Sequence, residues 1–410
     1  MYRRRRIAAG IIAGIVVALL ALGGYSVAVA VAPLPTLKPV LSAEVEASAE
    51  FEGDGAVAQA AVDAQSAPTA VGWLDGDTVW TNDDGQYRIA SLTKLITVLV
   101  ALEHQPIEDG SDGPDYTLTE ADAALVDEVL AQNGTFAPAP VGTTLTTRQL
   151  LELILLPSAN NYAIAYAEWV FGSNDAFIAA ANEWLQQHEL DSVHIVEPSG
   201  LSDDNVAAAS DIVRIARLAL ANPVIAGIVS QSTAQIPDIG EIQTTNRLLG
   251  EPGVIGLKTG TTFPSGYSLA AAKQTDAHGR EVVAIAVTLD RVDAQARADD
   301  TRATLAAVDS AAQQIELVQE QSIYGSITTW TGNRIDLIAD SSASTVLLPS
   351  ETATLSVALD DEAPASARQH PVGTIEITTP LGAEQVSIVT SAAIVEPDFW
   401  WRFTHPGELF

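Results

Sequence analysis

The stretch "ASLTKLITVLVALE" at residues 90–103 is the part of the sequence that decides the fold. Its apolar residues recur three and four positions apart, which predicts a helix with one apolar face. Ser91 and Lys94 stand three positions apart at the start of this helix, so their Cβ atoms should lie about 5–6 Å apart on one face. Only four of the 20 Lys and Arg residues are lysines. A lysine at this place points to a role that needs proton loss, which arginine cannot provide.

A serine hydroxyl becomes a good nucleophile only when a base takes its proton, and Lys94 can be that base only as a neutral amine. Burial, the positive end of the helix dipole and a second cation would each lower the pKa of Lys94 from about 10.4. Free backbone N–H groups at the helix start would face an oxyanion forming beside Ser91. The competing interpretation makes Ser91 a helix cap and Lys94 a solvated residue. One S-x-x-K match arises by chance too often to decide between them.

Two further motifs favour the catalytic interpretation. "LLPSANNYAIAYAEW" at residues 155–169 places Ser158 and Asn160 in a connection between two predicted helices, where polar side chains can face a cleft. Capping of the second helix is the competing role for either residue. "GVIGLKTGTTFPSGYSLAAA" at residues 253–272 predicts a strand with Lys258 and Gly260 on one face. Gly260 would leave room for another backbone to approach, whereas Lys258 could also be an ordinary exposed strand lysine.

Composition excludes several classes of function. The net charge of −32 argues against nucleic-acid binding, because phosphate contacts need clustered Lys and Arg. The absence of cysteine excludes disulfides, thiolate metal sites and cysteine nucleophiles. The six histidines lack the spacing of a metal-binding motif, so we expect no metal and no other cofactor.

The N-terminus carries a membrane signal. Residues 7–32 contain no charged residue and are long enough to span a bilayer, and the basic run at residues 3–6 precedes them. This pattern predicts a cytoplasmic segment at residues 1–6 and a transmembrane signal-anchor helix at residues 7–32. A cleaved secretory signal is the competing interpretation. We therefore expect the rest of the chain outside the cytoplasm, either anchored to the cell membrane or secreted.

The remaining chain divides into three parts by its composition and hydrophobic pattern. Residues 33–67 are rich in Ala, Glu, Ser and Pro and are predicted to form a linker. Residues 68–321 combine helical patterns with strands at both ends, which predicts an α/β domain with an antiparallel sheet. Residues 322–410 show short alternating runs separated by turns, which predicts a small all-β domain. The aromatic "DFWWRF" near its end is either a membrane-interface anchor or a terminal segment packed on the protein.

Together the motifs resemble a known family. Ser91-x-x-Lys94, Ser158-x-Asn160 and Lys258-Thr259-Gly260 occur in the order shared by penicillin-binding proteins and serine β-lactamases. Over residues 68–320 the chain is most similar to low-molecular-mass D-alanyl-D-alanine carboxypeptidases, serine peptidase family S11. The resemblance implies an antiparallel sheet with helices on both faces plus an all-helical lobe. "EPSGL" stands where relatives more often show N-P-H-G-L, which is a departure from the family pattern.

The resemblance also implies roles. Ser91 would attack the bond between the terminal D-alanines of a peptidoglycan stem peptide, or a β-lactam inhibitor, while Lys94 takes its proton. Ser158 would relay a proton to the leaving amine, and the N–H groups of Ser91 and Thr261 would form the oxyanion hole. The substrate-binding residues would be Asn160, Lys258, Thr259, Gly260, Thr261 and Arg297. Arg297 is the expected partner of the terminal carboxylate of the substrate, and Arg291 is the alternative.

The sequence leaves further functions open. A serine β-lactamase of class A would carry a glutamate in E-x-x-L-N, a string absent here. A D,D-endopeptidase on the same fold and a non-catalytic cell-wall-binding relative also remain candidates. None of the three motifs is broken, which favours an active enzyme.

Overall fold

The structure is a computed structural model that describes residues 2–108, 110–262 and 266–410. Met1, with which the predicted cytoplasmic segment begins, lies outside the described residues. The chain forms two compact units. The central unit comprises Glu52–Gln313 and Val346–Glu351, and the terminal unit comprises Met1–Phe51, Gln314–Thr345 and Thr352–Phe410.

The helices of the described residues are α1 (Tyr2–Val31), α2 (Ala56–Asp63), α3 (Thr93–His104), α4 (Glu120–Ala131), α5 (Thr147–Leu155), α6 (Asn160–Phe171), α7 (Asn174–Gln187), α8 (Ala209–Ala221), α9 (Pro223–Val229), α10 (Ala294–Ala307) and α11 (Phe399–Thr404), with short 3-10 helices η1 (Ala90–Leu92) and η2 (Pro406–Glu408). The strands are β1 (Val40–Leu41), β2 (Ser48–Glu52), β3 (Thr69–Trp73), β4 (Val79–Thr81), β5 (Tyr87–Arg88), β6 (Asp115–Thr117), β7 (Thr144–Thr146), β8 (Val206–Ala207), β9 (Thr233–Ile236), β10 (Gly240–Gln243), β11 (Val254–Thr261), β12 (Tyr267–Ala277), β13 (Arg280–Arg291), β14 (Gln313–Val318), β15 (Ile323–Thr328), β16 (Arg334–Ala339), β17 (Ala343–Leu347), β18 (Thr352–Leu359), β19 (Pro371–Thr379) and β20 (Gly382–Thr390).

The central unit is built on an antiparallel sheet in the order β11-β12-β13-β3-β4. Successive side chains of β13 enter different cores: Ile285 and Val287 pack with the helical part, whereas Ala284 and Ala286 pack on the side of α2 and α10. A strand buried on both faces needs apolar residues at nearly every position, as the run "VVAIAVTL" provides. The predicted sheet with helices on both faces is confirmed.

The helical lobe is formed by the part of the chain between β5 and β11. Its helices α3, α5, α6 and α7 share one core with α8 and α9, and α3 lies inside it, buried along Thr93–Leu102. The expected helix is therefore confirmed, but it is buried on all sides rather than on one face. Capping boxes begin α4 (Thr119 with Asp122) and α5 (Thr146 with Gln149), which satisfies N–H groups that a helix start leaves unpaired.

The terminal unit holds a seven-stranded sheet in the order β1-β15-β16-β20-β19-β18-β2. The predicted all-β character of residues 322–410 agrees with this sheet, but its two edges come from the N-terminal segment. The expectation of a linker at residues 33–67 is therefore wrong. Those residues form β1 and β2, and α2 buries Ala58 and Val62 in the core of the central unit. Small alanine-rich elements carry little local periodicity, and their partners lie far away in sequence.

Helix α1 is the described helix that is long and apolar enough to cross a membrane by itself. The pair α8 and α9 passes the same test only as one span bent by 101°, and its residues belong to the central core. Residues 2–24 of α1 are exposed throughout. From Tyr25 onward the C-terminal segment covers it: the Tyr25 hydroxyl donates to the Phe403 carbonyl at 2.7 Å, and Arg402 donates to the Ala32 carbonyl at 2.7 Å.

Candidate active site

Ser91 lies in η1, directly before α3, with its side chain partly exposed. The residue before it, Ala90, has a φ of 48°, a left-handed conformation that is costly for a residue with a side chain. The N-cap of α3 is Leu92 and makes no side-chain capping bond. Ser91 is therefore not the cap of this helix, and its hydroxyl is available to other partners.

Lys94 is completely buried, so the interpretation as a solvated residue is wrong. Its amine lies 2.8 Å from the Ser91 hydroxyl and contacts the side-chain oxygen of Asn160 and, at 2.5 Å, the carbonyl oxygen of Ser199. Burial lowers the pKa of Lys94 from 10.5 to about 7, and the carboxylate of Glu197 opposes this shift. At neutral pH a large fraction of the amine is therefore unprotonated.

The three partners of the Lys94 amine determine how it can share its hydrogen bonds. A neutral amine has two N–H groups to donate and one lone pair to accept with. The oxygens of Asn160 and Ser199 are carbonyl oxygens, which can only accept hydrogen bonds. In the neutral amine these two oxygens can take both N–H groups, which would leave the lone pair to accept the O–H of Ser91. This is the geometry that proton removal from a serine requires.

Ser158 and Asn160 are both buried, and they lie at the junction of α5 and α6. Asn160 is the first residue of α6, and Ala159 is the N-cap without a side-chain bond, so neither predicted capping role is realised. Ser158 has a φ of 67°. Its hydroxyl oxygen is buried without a hydrogen-bond partner among the described residues. Buried polar atoms are normally paired, so an unpaired hydroxyl in strained backbone is typical of a functional site.

Strand β11 brings the third motif to Ser91. Gly260 packs against η1 so closely that a Cβ atom there would lie 2.7 Å from the carbonyl oxygen of Ile89, which is the predicted backbone approach. Lys258 is buried, and its amine donates to the Thr259 carbonyl at 3.0 Å. Burial, followed by the cations of Lys94 and Arg297, lowers the pKa of Lys258. The interpretation of Lys258 as an exposed strand lysine is therefore wrong.

The other strand residues differ in their surroundings. The Thr259 hydroxyl lies 2.6 Å from that of Thr245 and is buried. Thr261, at the end of β11, is exposed. The edge formed by Thr259–Thr261 can therefore accept an extended peptide as an added strand.

The structure distinguishes the two candidate arginines. Arg297, on α10, donates to the Gly260 carbonyl at 3.1 Å and reaches the Thr261 hydroxyl at 3.3 Å. Burial lowers its pKa to about 10, so it remains charged. Arg291 instead pairs with Asp300 at 2.7 Å and donates to Pro68 and Thr69. Its donors are committed to structural contacts.

The sequence reasoning missed two groups. Arg247 is an exposed cation that acts on Arg297 through its charge. The loop Glu197–Asn205 supplies the Ser199 carbonyl that contacts Lys94. The unusual sequence "EPSGL" lies in this loop. The role of the Ser199 carbonyl could not be recognised from it, because every residue has a main-chain carbonyl.

Curated proteins share parts of this sequence. The chain is 34% identical over 180 residues to the D-alanyl-D-alanine carboxypeptidase DacB2 of Mycobacterium tuberculosis, covering 42% of this chain and 57% of that protein. It is 31% identical over 134 residues to a D-alanyl-D-alanine endopeptidase of Pseudomonas aeruginosa, covering 33% of this chain and 40% of the relative. The chain thus spans about half the length of these curated relatives.

A solved structure shows the same fold. Penicillin-binding protein 5 from Haemophilus influenzae superposes with a TM-score of 0.55 at 20% identity, covering 80% of this chain and 97% of that one. The fold is therefore that of the penicillin-binding proteins. The model of peptidase family S11, described as D-alanyl-D-alanine carboxypeptidase, matches residues 59–292, which is more than half of the chain. The chain belongs to this family.

Proposed function

We propose that the protein is a serine D-alanyl-D-alanine carboxypeptidase, which removes the terminal D-alanine of peptidoglycan stem peptides through an acyl-enzyme on Ser91. The observation that carries the proposal is the buried amine of Lys94, whose nitrogen lies 2.8 Å from the Ser91 hydroxyl oxygen. Membership of the peptidase family and the names of the relatives support the same activity.

The acylation step follows from this geometry. Lys94 takes the proton of Ser91 as Oγ bonds to the carbonyl carbon between the two D-alanines. The N–H groups of Ser91 and Thr261 stabilise the oxyanion that forms. The C–N bond then breaks, and the proton passes to the leaving amine through Ser158. Water hydrolyses the resulting ester and regenerates the Ser91 hydroxyl.

Binding of the substrate involves the cations of the site. Asn160 holds the substrate amide, and Thr259–Thr261 pair with its backbone. Lys258 and Arg297 bind the terminal carboxylate, and the charge of Arg247 adds to theirs. The hydrogen bonds of Arg297 go to carbonyl and hydroxyl oxygens, so its charge has no carboxylate partner among the described residues. This observation favours a substrate with a terminal carboxylate, hence a carboxypeptidase over an endopeptidase.

β-Lactams are the expected inhibitors, because Ser91 would open their ring by the same attack. Slow hydrolysis of the acyl-enzyme would then separate this protein from a β-lactamase. The lack of E-x-x-L-N supports slow release.

We also propose that α1 is retained as a single membrane anchor, with the catalytic unit outside the cytoplasm. About 20 helical residues span the hydrocarbon core of a bilayer, so a span that starts at Ile7 ends near Ser26. The contacts with the C-terminal segment begin at this level, where Val29 is fully buried. Trp401, Phe403 and Leu409 of the C-terminal segment pack with α1, and removal of α1 as a cleaved signal would leave them without this partner. Retention predicts that the membrane-extracted protein has the mass of the full chain.

The decisive experiment is intact-mass measurement after incubation with penicillin. We expect one covalent adduct on the wild type and none on Ser91→Ala. Release of D-alanine from a D-Ala-D-Ala peptide, absent in Ser91→Ala, would establish the carboxypeptidase. An adduct without D-alanine release would instead favour an endopeptidase, which a cross-linked peptide substrate would reveal. The absence of both would identify a non-catalytic relative.

A further inference from the structure

We propose that Glu197 is a positioning residue for proton transfer: its carboxylate shapes the loop Glu197–Asn205 so that the Ser199 carbonyl fixes the orientation of the Lys94 amine. The inference rests on the proposed function and assigns a role to one of the two residues, Glu197 and Ser199, with which this chain departs from the family pattern.

The carboxylate of Glu197 is surrounded by donors from its own loop. One oxygen accepts from the backbone N–H and the hydroxyl of Ser199, at 2.7 and 2.6 Å. The other accepts from the Gly200 N–H at 2.6 Å and from the Asn205 side chain at 2.9 Å, with the Ser202 N–H at 3.3 Å. Charge-assisted bonds of this kind are the strong ones, so the carboxylate determines the shape of the loop.

The loop is in turn held against the start of α3. The Asn205 side chain donates to the Thr93 hydroxyl at 3.1 Å, and the Thr97 hydroxyl donates to the Pro198 carbonyl at 2.7 Å. Gly200 has a φ of +80°, and a Cβ atom there would overlap with the carbonyl group of Ala90. The loop therefore contacts the backbone of Ala90 before Ser91 and the hydroxyls of Thr93 and Thr97 on either side of Lys94.

The position of the Ser199 carbonyl decides what the amine can do. With this acceptor in place, both N–H groups of a neutral Lys94 are used, and the lone pair faces Ser91. If the carbonyl moves away, the amine can rotate and donate an N–H to the Ser91 oxygen. The serine proton then has no base to go to. Glu197 thus acts on Ser91 through Ser199 and Lys94 without touching the substrate.

The same contacts argue that Glu197 is not itself a base. A carboxylate has about four lone-pair positions, and five donors already point to this one. It is therefore not free to activate a water for hydrolysis of the acyl-enzyme. Its charge still acts on Lys94 and raises the pKa of that amine. From β11, Lys258 also interacts with Lys94 through its charge, and the α6 neighbour Asn160 is neutral.

The test is the pH dependence of acylation by a fluorescent penicillin, from about pH 5 to pH 9, in the full-length protein. In Glu197→Gln we expect the high-pH plateau of the rate constant to fall about 10- to 100-fold, because the loop loses part of its shape. We also expect the midpoint to move to lower pH, because the anion that favours protonated Lys94 is gone. A purely structural role would lower the plateau without moving the midpoint.

Two variants complete the design. Glu197→Asp keeps the charge but shortens the side chain, so its plateau should fall while its midpoint stays. Asp203→Asn removes an exposed charge of the same loop, which pairs with Arg88 at 3.4 Å, and should match the wild type. If Glu197→Gln does not fold, an Asp variant with the wild-type plateau would overturn the proposal.

Three further outcomes bear on the proposal. A wild-type midpoint and plateau in Glu197→Gln would show that the carboxylate does not position the amine. Trapping of the acyl-enzyme in this variant alone, with turnover of penicillin by the wild type, would make Glu197 a base for hydrolysis and overturn the positioning role. Failure of the wild type to acylate would instead refute the proposed function.

Discussion

At the scale of single residues, the site depends on Lys94, whose burial disfavours the charged form of its amine. An amine without water prefers to be neutral, and the fold places two acceptor oxygens and the Ser91 hydroxyl around it. Motif reasoning could predict Ser91, Lys94, Asn160 and Lys258, because their side chains carry the chemistry. It could not predict the Ser199 carbonyl, since any residue type can supply a main-chain oxygen.

The sequence also could not decide whether Arg297 or Arg291 faces the expected position of the substrate carboxylate. Both follow β11 by similar distances, and only the packing of α10 on the sheet brings Arg297 to the Gly260 carbonyl. Arg291, at the end of β13, turns instead to Asp300. Helix register relative to a sheet is a tertiary property, which local patterns do not encode.

We expect Lys94→Arg to abolish labelling by fluorescent penicillin. Arginine keeps the positive charge but cannot act as a base near neutral pH. The matched control is Lys273→Arg, because Lys273 pairs with Asp309 on the surface of the central unit and should keep full labelling. Strong labelling of Lys94→Arg in a folded protein would contradict the base assignment.

Arg297→Gln should lower kcat/KM for a D-Ala-D-Ala peptide about 10- to 100-fold, the effect of losing a charge-assisted hydrogen bond worth roughly 1.5–3 kcal/mol. A peptide with an amidated C-terminus should show a much smaller change, since it has no carboxylate to bind. Arg302→Gln on the same helix is the control, because Arg302 pairs with Glu251 and Asp299. Equal losses on both peptides would exclude a carboxylate contact.

At the scale of elements, the site exists because β11 lies against η1. The contact needs Gly260, and the glycine of a K-T-G motif could be recognised from the sequence for this reason. The strands and helices of the central unit were likewise predictable from their periodicity. The boundary at residue 68 was not, because the alanine-rich α2 is only eight residues long and is stabilised by its packing on Trp80 and the neighbouring core.

Gly260→Ala should therefore separate β11 from η1 and lower both the acylation rate and the melting temperature. The expected loss of stability is about 1–3 kcal/mol, typical of overpacking. Gly227→Ala in α9 is the control: no atom lies within 4 Å of its added Cβ, and alanine favours the helix by about 0.5–1 kcal/mol. Thermal unfolding and penicillin labelling of both variants test this. A wild-type rate in Gly260→Ala would contradict the tight contact.

At the scale of the whole molecule, the terminal unit is discontinuous in sequence. Strands β1 and β2 are two and five residues long, and each closes one edge of a sheet made by the C-terminal part of the chain. Such short strands give no usable pattern, so the sequence suggested a linker. Their importance lies in covering edges that would otherwise present unpaired backbone groups to other chains.

Deletion of residues 1–32 and of residues 1–67 should consequently differ. The first removes α1 alone and leaves the central unit intact, so it should keep full penicillin labelling. The second also removes both edge strands and α2, including the buried Val62, whose burial contributes about 1.5–3 kcal/mol. We expect that protein to melt at lower temperature and to aggregate. Size-exclusion chromatography and thermal unfolding compare them, and identical behaviour would show that residues 33–67 are dispensable.

The two edge strands also set the order in which the newly made polypeptide can mature. Val40 pairs with Ser326 and leaves the ribosome roughly 300 residues earlier, which at 5–20 residues per second is about 15–60 s. Throughout that interval β1 and β2 have no partner strands. The terminal unit is therefore the last part of the molecule to be completed, and its two early strands must be kept from pairing elsewhere until the C-terminal part of the chain has been made.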